Sequence, residues 1–138
     1  MRFMIIRKAD ADTEAGVMPS RELAEAMMTH HEAMGRHLKI LGGDGLKPTA
    51  VGARVKFHKG KPLVIDGPFT ETKEIIAGYT LVEAASLAEV LEWAKTWPCL
   101  DSEGEVELEI RPLYEIEDFG EAFSPDLKTE AERIMGKA

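Results

Sequence analysis

Residues 66–69, Asp66-Gly67-Pro68-Phe69, admit few backbone paths, and they stand between two apolar runs. Residues 63–65 before them and 75–82 after them are apolar and β-prone. Gly67 tolerates unusual φ values and Pro68 has no amide hydrogen to continue a ladder, so the chain must turn here. Asp66, Glu71, Lys73 and Glu74 crowd ionisable groups around the turn, with the large apolar Phe69 inside it. A charged, restricted turn between two buried strands is a common place for a site. The plainer expectation is a tight connection in which Asp66 satisfies its own backbone.

The rest of the chain supplies partners for that turn. Residues 3–7 are apolar on both faces, which predicts a central strand. Arg7 at its end is either a solvated terminus or a cation that holds an anion. Residues 9–16 lack apolar periodicity and read as a loop. Pro19-Ser20 opens a helix whose stripe, Leu23, Met27, Met34, Leu38 and Leu41, runs to Gly42-Gly43. The Gly-rich stretch 42–46 then reads as a helix C-cap with a close backbone approach. Residues 51–57 alternate, with Val51, Ala53, Val55 and Phe57 on one face, as in a half-exposed strand. Residues 63–65 return as its hairpin partner. Residues 77–83 form the next strand, and Gly78 within it marks a close approach.

Ser86 and Glu89 make a capping box that opens a second helix, with Leu87, Val90, Leu91 and Ala94 buried. Trp93 and Trp97 fall towards its edge. Val106, Leu108 and Ile110 alternate with charged residues in a last strand, stopped by Pro112. Arg111 there has the same two readings as Arg7. Ser124-Pro125 starts a short helix in an acidic tail.

Strand, helix, hairpin, strand, helix, strand reduces to βαββαβ once one hairpin strand is set aside. That is a ferredoxin-like α+β fold: an antiparallel sheet with an extra β-hairpin. The domain spans residues 1–113, and 114–138 are an extension. Two helices cover one sheet face and no element covers the other, which predicts a homodimer packed sheet to sheet.

The 138 residues carry 25 acidic and 17 basic side chains, a net charge of -8. That argues against a nucleic-acid or anionic-membrane partner, both of which need clustered Lys and Arg. A small anionic molecule held by one or two local cations stays open. Cys99 is the single cysteine, so no intrachain disulfide forms, and the cytoplasm is the simplest location. No apolar run approaches the ~18 residues of a membrane span.

Three histidines lie on the first predicted helix. At 100° per residue His30 and His37 point to the apolar stripe and His31 to its flank. No pair has the i, i+4 spacing of a helical zinc site, so no metal is expected. Nor does the Gly-rich stretch have the Gly-Lys-Ser/Thr ending of a phosphate loop, and no cofactor is expected. One histidine either packs in the core with its nitrogens satisfied or faces a cleft as general base.

Asp66-Gly67-Pro68-Phe69, followed by Glu71-Thr72-Lys73-Glu74 and Gly78-Tyr79, resembles the signature of the DGPF subgroup of the YCII-related family. The Gly42-Gly43-Asp44-Gly45-Leu46 stretch and the last strand ending in Arg111-Pro112 are similar as well. The resemblance implies a ferredoxin-like dimer forming an α+β barrel, with a cleft between the first helix and the sheet. Some relatives imply a His–Asp pair, one is a dehydrochlorinase, and others occur beside sigma factors. On this chain the pair would be His30 and Asp66, with Arg7, His37, Phe69, Lys73 and Arg111 around a ligand. Two functions follow: a non-catalytic ligand-binding or regulatory dimer, or a small-molecule lyase or hydrolase.

Overall fold

The computed structural model describes residues 1–70 and 74–136. Lys73, one of the expected ligand residues, lies outside them. The regular elements are β1 (Arg2–Lys8), α1 (Ala11–Glu14), α2 (Arg21–Gly35), β2 (Lys39–Gly45), β3 (Ala53–His58), β4 (Lys61–Asp66), β5 (Ile76–Glu83), α3 (Leu87–Ala94), β6 (Leu108–Pro112) and α4 (Pro125–Met135). Four strands form one sheet in the order β2-β5-β1-β6, and every neighbouring pair is antiparallel. With α2 between β1 and β2 and α3 between β5 and β6, this is the ferredoxin-like arrangement. The β3–β4 ribbon is a separate two-stranded sheet, inserted between β2 and β5.

β1 is central because it is apolar on both faces. Phe3 and Ile5 point to the helices and are almost fully buried, together with Val82 of β5, Met34 of α2, Leu38 and Val90 of α3. Burying each of these large side chains contributes about 1.5–3 kcal/mol. Met4 and Ile6 on β1, and Tyr79 and Leu81 on β5, alternate to the opposite face and are only half-buried. Both helices that pack on the sheet begin as the sequence predicts. Ser20 accepts from the Leu23 amide and Ser86 from the Glu89 amide, while the Glu89 carboxylate accepts from the Ala85 amide.

Four expectations need correction. Helix α2 ends at Gly35, not near Leu41; Leu38 is buried just beyond it. Residues 39–45 are an edge strand rather than a helix cap and loop, so the strand set aside to reach βαββαβ is in fact the whole hairpin, and β2 takes its place. The apolar face of β3 is not half-buried, because every residue of β3 and β4 is exposed. Residues 9–16 also contain the single turn α1, capped by Asp10 and Thr13 on each other's amides. No helix among the described residues is long and apolar enough to cross a membrane.

Glycine lets β2 lie against β5. A Cβ on Gly43 would sit 2.6 Å from the Tyr79 carbonyl oxygen, whereas one on Gly45 would meet open space. Gly43→Ala should therefore destabilise the chain by about 1–3 kcal/mol in urea unfolding. Gly45→Ala should change it by less than ~0.5 kcal/mol. Equal effects would show that β2 is not held by this contact.

Candidate functional site

The signature turn is clamped from below. The Gly67 amide donates to the Gly52 carbonyl at 3.0 Å, and the Gly67–Pro68 peptide is cis. A Cβ on Gly67 would lie 1.6 Å from the Thr49 carbonyl oxygen, so no other residue fits. Thr49 is the centre of the clamp. Its hydroxyl accepts from the Phe69 amide at 3.0 Å and donates to Glu14 Oε2 at 2.5 Å, and its amide donates to Glu14 Oε1 at 3.1 Å. Phe69 is half-buried, with the Arg54 guanidinium 3.8 Å above its ring centre. Glu14, Thr49 and Arg54 had no signal of their own in the sequence, because their partners are 20 or more residues away or across a ribbon.

Asp66 ends β4 with its side chain exposed. Among the described residues no hydrogen bond joins it to any histidine; the histidines are engaged elsewhere. His30 is 8 % exposed, and its Nε2 lies 2.9 Å from the Trp93 carbonyl and 3.1 Å from Thr96 Oγ1. The carbonyl can only accept, so Nε2 carries the proton. Nδ1 is buried with no hydrogen-bond partner among the described residues. His37 lies beyond the end of α2, exposed, with its ring tilted 30° on Trp93 at 5.3 Å. Its expected place on the buried stripe fails because the helix stops first.

His31 is half-buried, with both ring nitrogens engaged. Its Nδ1 donates to the Met27 carbonyl at 3.0 Å, which leaves Nε2 to accept from the Thr80 hydroxyl at 3.3 Å. Burial holds its pKa below the usual 6.5; the Met27 bond opposes that shift and the neighbouring His30 adds to it. The imidazole's neutral form is favoured by burial, and its two hydrogen bonds fix one tautomer. His30, His31 and Trp97 stack edge to face around it, each pair of ring centres 5.4 Å apart.

Trp97 ties this cluster to Arg7. Its Nε1 donates to Asp101 Oδ2 at 2.8 Å, and Arg7 grips the same carboxylate through Nε at 3.3 Å and Nη2 at 2.6 Å. Arg7 Nη2 also reaches Asp10 Oδ2 at 3.2 Å, which accepts from Ser102 Oγ at 2.8 Å. Arg7 is thus an internally balanced cation rather than a solvated one. Residues 102–104 run through three successive left-handed conformations, φ 51°, 53° and 85°, costing about 1–2 kcal/mol at each non-glycine position. The Ser102–Asp10 bond holds that run in place. Beside it opens a cavity of about 390 Å³, lined by Arg7, Lys8, Asp10, Ser102, Glu105 and Glu107. Two cations and three carboxylates make this lining a poor home for an anion. Arg111 is exposed and lies 3.3 Å from Glu109 on the same strand.

Asp10 makes the ion network pH-dependent. Burial alone would raise its pKa, but the Thr13 amide, Ser102 and Arg7 together pull it from 3.8 to about 2. A carboxylate with a depressed folded pKa adds stability above its unfolded pKa and loses it as pH falls through the folded one. Between pH 4 and pH 2 the wild type should lose on the order of 1 kcal/mol more than Asp10→Asn, after allowing for solvent screening of a partly exposed group. Urea unfolding across that window reads the difference; parallel curves would remove Asp10 from the network.

Residues 1–116 match the family described as YCII-related domain. Over 80 residues the chain is 38% identical to an uncharacterised protein of Rhizobium meliloti (strain 1021), which is 55% of this chain and 64% of that protein. The match therefore spans just under two thirds of that relative's length. A solved structure of 5-chloro-2-hydroxyhydroquinone dehydrochlorinase from Burkholderia phenoliruptrix, in complex with 2,5-dihydroxybenzoquinone, is similar at a TM-score of 0.49 and 18% identity, over 86% of this chain and 98% of that one. The family match runs from β1 through β6 and a few residues past it, and on that match the chain belongs to the YCII-related domain family.

Proposed function

We propose that this protein is a small-molecule-binding or regulatory homodimer of the DGPF subgroup, with its ligand site at His31 and Thr80 between α2 and the sheet. The subgroup reading rests on Asp66-Gly67-Pro68-Phe69. The ligand reading rests on one observation: a neutral, half-buried imidazole fixed by the Met27 carbonyl, whose other nitrogen meets a buried hydroxyl. Such a pair can exchange its internal hydrogen bond for one to a ligand hydroxyl or carboxyl. Trp97 supplies an apolar wall. Arg7 already balances Asp101 and Asp10, so the site favours a small acid with one charge or none over a strongly anionic molecule. Asp66, Phe69 and the clamp beneath them shape the turn in this reading. A reducing cytoplasm suits the exposed free thiol of Cys99.

The dimer reading rests on the open sheet face, where Met4, Ile6 and Leu81 are half-buried and no residue is fully covered. A lyase or hydrolase is the second reading. His31, 3.3 Å from a hydroxyl and oriented by a carbonyl, has the geometry of a general base. It takes that role in preference to the expected His30–Asp66 pair, since His30 Nε2 is held by Trp93 and Thr96.

Thermal-shift screening against small organic acids and phenols tests the site. A ligand at about 100 times its Kd stabilises the native state by ~2.7 kcal/mol. The shift should vanish in His31→Ala and persist in Asp66→Ala. A shift unchanged in His31→Ala would sink the assignment, and light scattering of the wild type should give the mass of two chains.

A further inference from the structure

The β3–β4 ribbon is a hairpin with nothing over it. Directly paired residues share a face, so Val55 and Val64 lie side by side with Phe57 and Pro62 next to them. Val55 is 57%, Val64 63% and Phe57 66% exposed. A lone two-stranded hairpin is marginal in water, and a contiguous apolar face of this kind marks a surface that another element covers. The other face carries Arg54, Lys56, His58 and Lys61 around the exposed Leu63 and Ile65. Residues 53–66 hold Arg54, Lys56, Lys59 and Lys61 against Asp66, a net charge of +3 that leaves -11 on the rest of the chain.

A complementary surface exists in the same sequence. Between residues 114 and 136 there are seven carboxylates and two cations, a net charge of -5. Helix α4 lies there with no buried residue. Leu127, Ile134 and Met135 fall along one side of it and are exposed, as are Tyr114 and Phe119. A basic apolar ribbon and an acidic apolar helix therefore both stand without a buried contact in a single chain.

We propose that the β3–β4 ribbon is an arm that docks on the acidic C-terminal segment, residues 114–136, of a second copy. The proposal rests on the homodimer reading and adds a reciprocal exchange of arms to it. The apolar face of the ribbon forms the centre of the contact, while Lys59 at its turn and the long side chains of Lys56 and Lys61, extending past its edges from the opposite face, reach the carboxylates at the rim. A two-fold axis makes the exchange symmetric, each copy giving one ribbon and receiving one. The arm enters the contact already oriented. Its base is fixed by the Gly67 amide on Gly52, by Thr49 on Glu14, and by Arg54 over Phe69. Fixing it in advance reduces the entropy lost on docking.

Charge reversal separates this arrangement from its rivals. One variant carries Lys56→Glu and Lys61→Glu on the ribbon; the other carries Glu121→Lys and Glu132→Lys on the tail. Sedimentation of each alone should give a dimer Kd raised roughly tenfold or more over wild type at low salt. An equimolar mixture should regain dimers, because a negative ribbon then meets a positive tail and a positive ribbon a negative one. Circular dichroism of each variant reports whether it is folded. Phe57→Ser with Val64→Ser, uncharged changes at exposed positions, should weaken the dimer in the same assay. Variants that remain as tightly dimeric as wild type would overturn the arm while leaving a sheet-to-sheet dimer intact. Weakened variants whose mixture does not recover would overturn the pairing of ribbon with tail. A monomeric wild type would remove the dimer reading and the arm together.

Discussion

The bidentate pair between Arg7 and Asp101 is what the helix-side architecture leans on. Arg7 sits at the end of the most buried strand, on the same face as Phe3 and Ile5, where an unbalanced charge would be costly. Asp101 balances it from the loop after α3 and, through its other contact, holds Trp97. Trp97 in turn packs on both His30 and His31. One ion pair thus links the strand end, the second crossover and the histidine cluster on the first. Removing Arg7 would leave the buried Asp101 carboxylate without its counter-ion, which costs about 3–5 kcal/mol, whereas removing Asp101 still leaves Arg7 paired with Asp10. The pair is better understood as fixing the relative placement of these parts than as a surplus of stability, because desolvation offsets most of its attraction.

The fold was legible where side chains alternate and illegible where backbone alone does the pairing. β3 and β6 declare themselves through apolar period-two patterns, and β1 and β5 through continuous apolar, β-prone runs. β2 does not: three of its seven residues are glycine, and it needs no side-chain pattern because it lies at an edge with all its residues exposed. Its glycines looked like a helix stop, and Leu38 and Leu41 sit at helical spacing from Met34 by coincidence. The ferredoxin-like order was still recovered, since a hairpin strand was counted in β2's stead. The hairpin was read correctly as a ribbon but wrongly as half-buried, because alternation tells which face is apolar and not whether anything lies over it.

The candidate site was less legible. Arg7 was visible as a charge at a strand end, but its partner Asp101 is 94 residues away in sequence, and no periodicity relates the two. His31 was placed on the flank of its helix, and the flank turned out to be the position that meets Thr80. His30, on the predicted centre of the stripe, went into the core as a satisfied side chain at Nε2. The aspartate of the signature drew attention for its charge, whereas the glycine next to it carries the constraint. Gly67 lies against the Thr49 backbone, which is where the turn and the body of the domain meet.

That contact has a consequence for how the molecule comes apart. The sheet and its helices share one buried core, while the ribbon contributes no buried side chain to it. The chain therefore has two tiers of cooperativity joined at residues 49–52 and 67–69. In a single, undocked chain the ribbon can open by local unfolding at little free energy, while β1 and β5 stay protected until the whole domain unfolds. Selection can rewrite such an element, in length and in charge, without touching the stability of the domain that carries it.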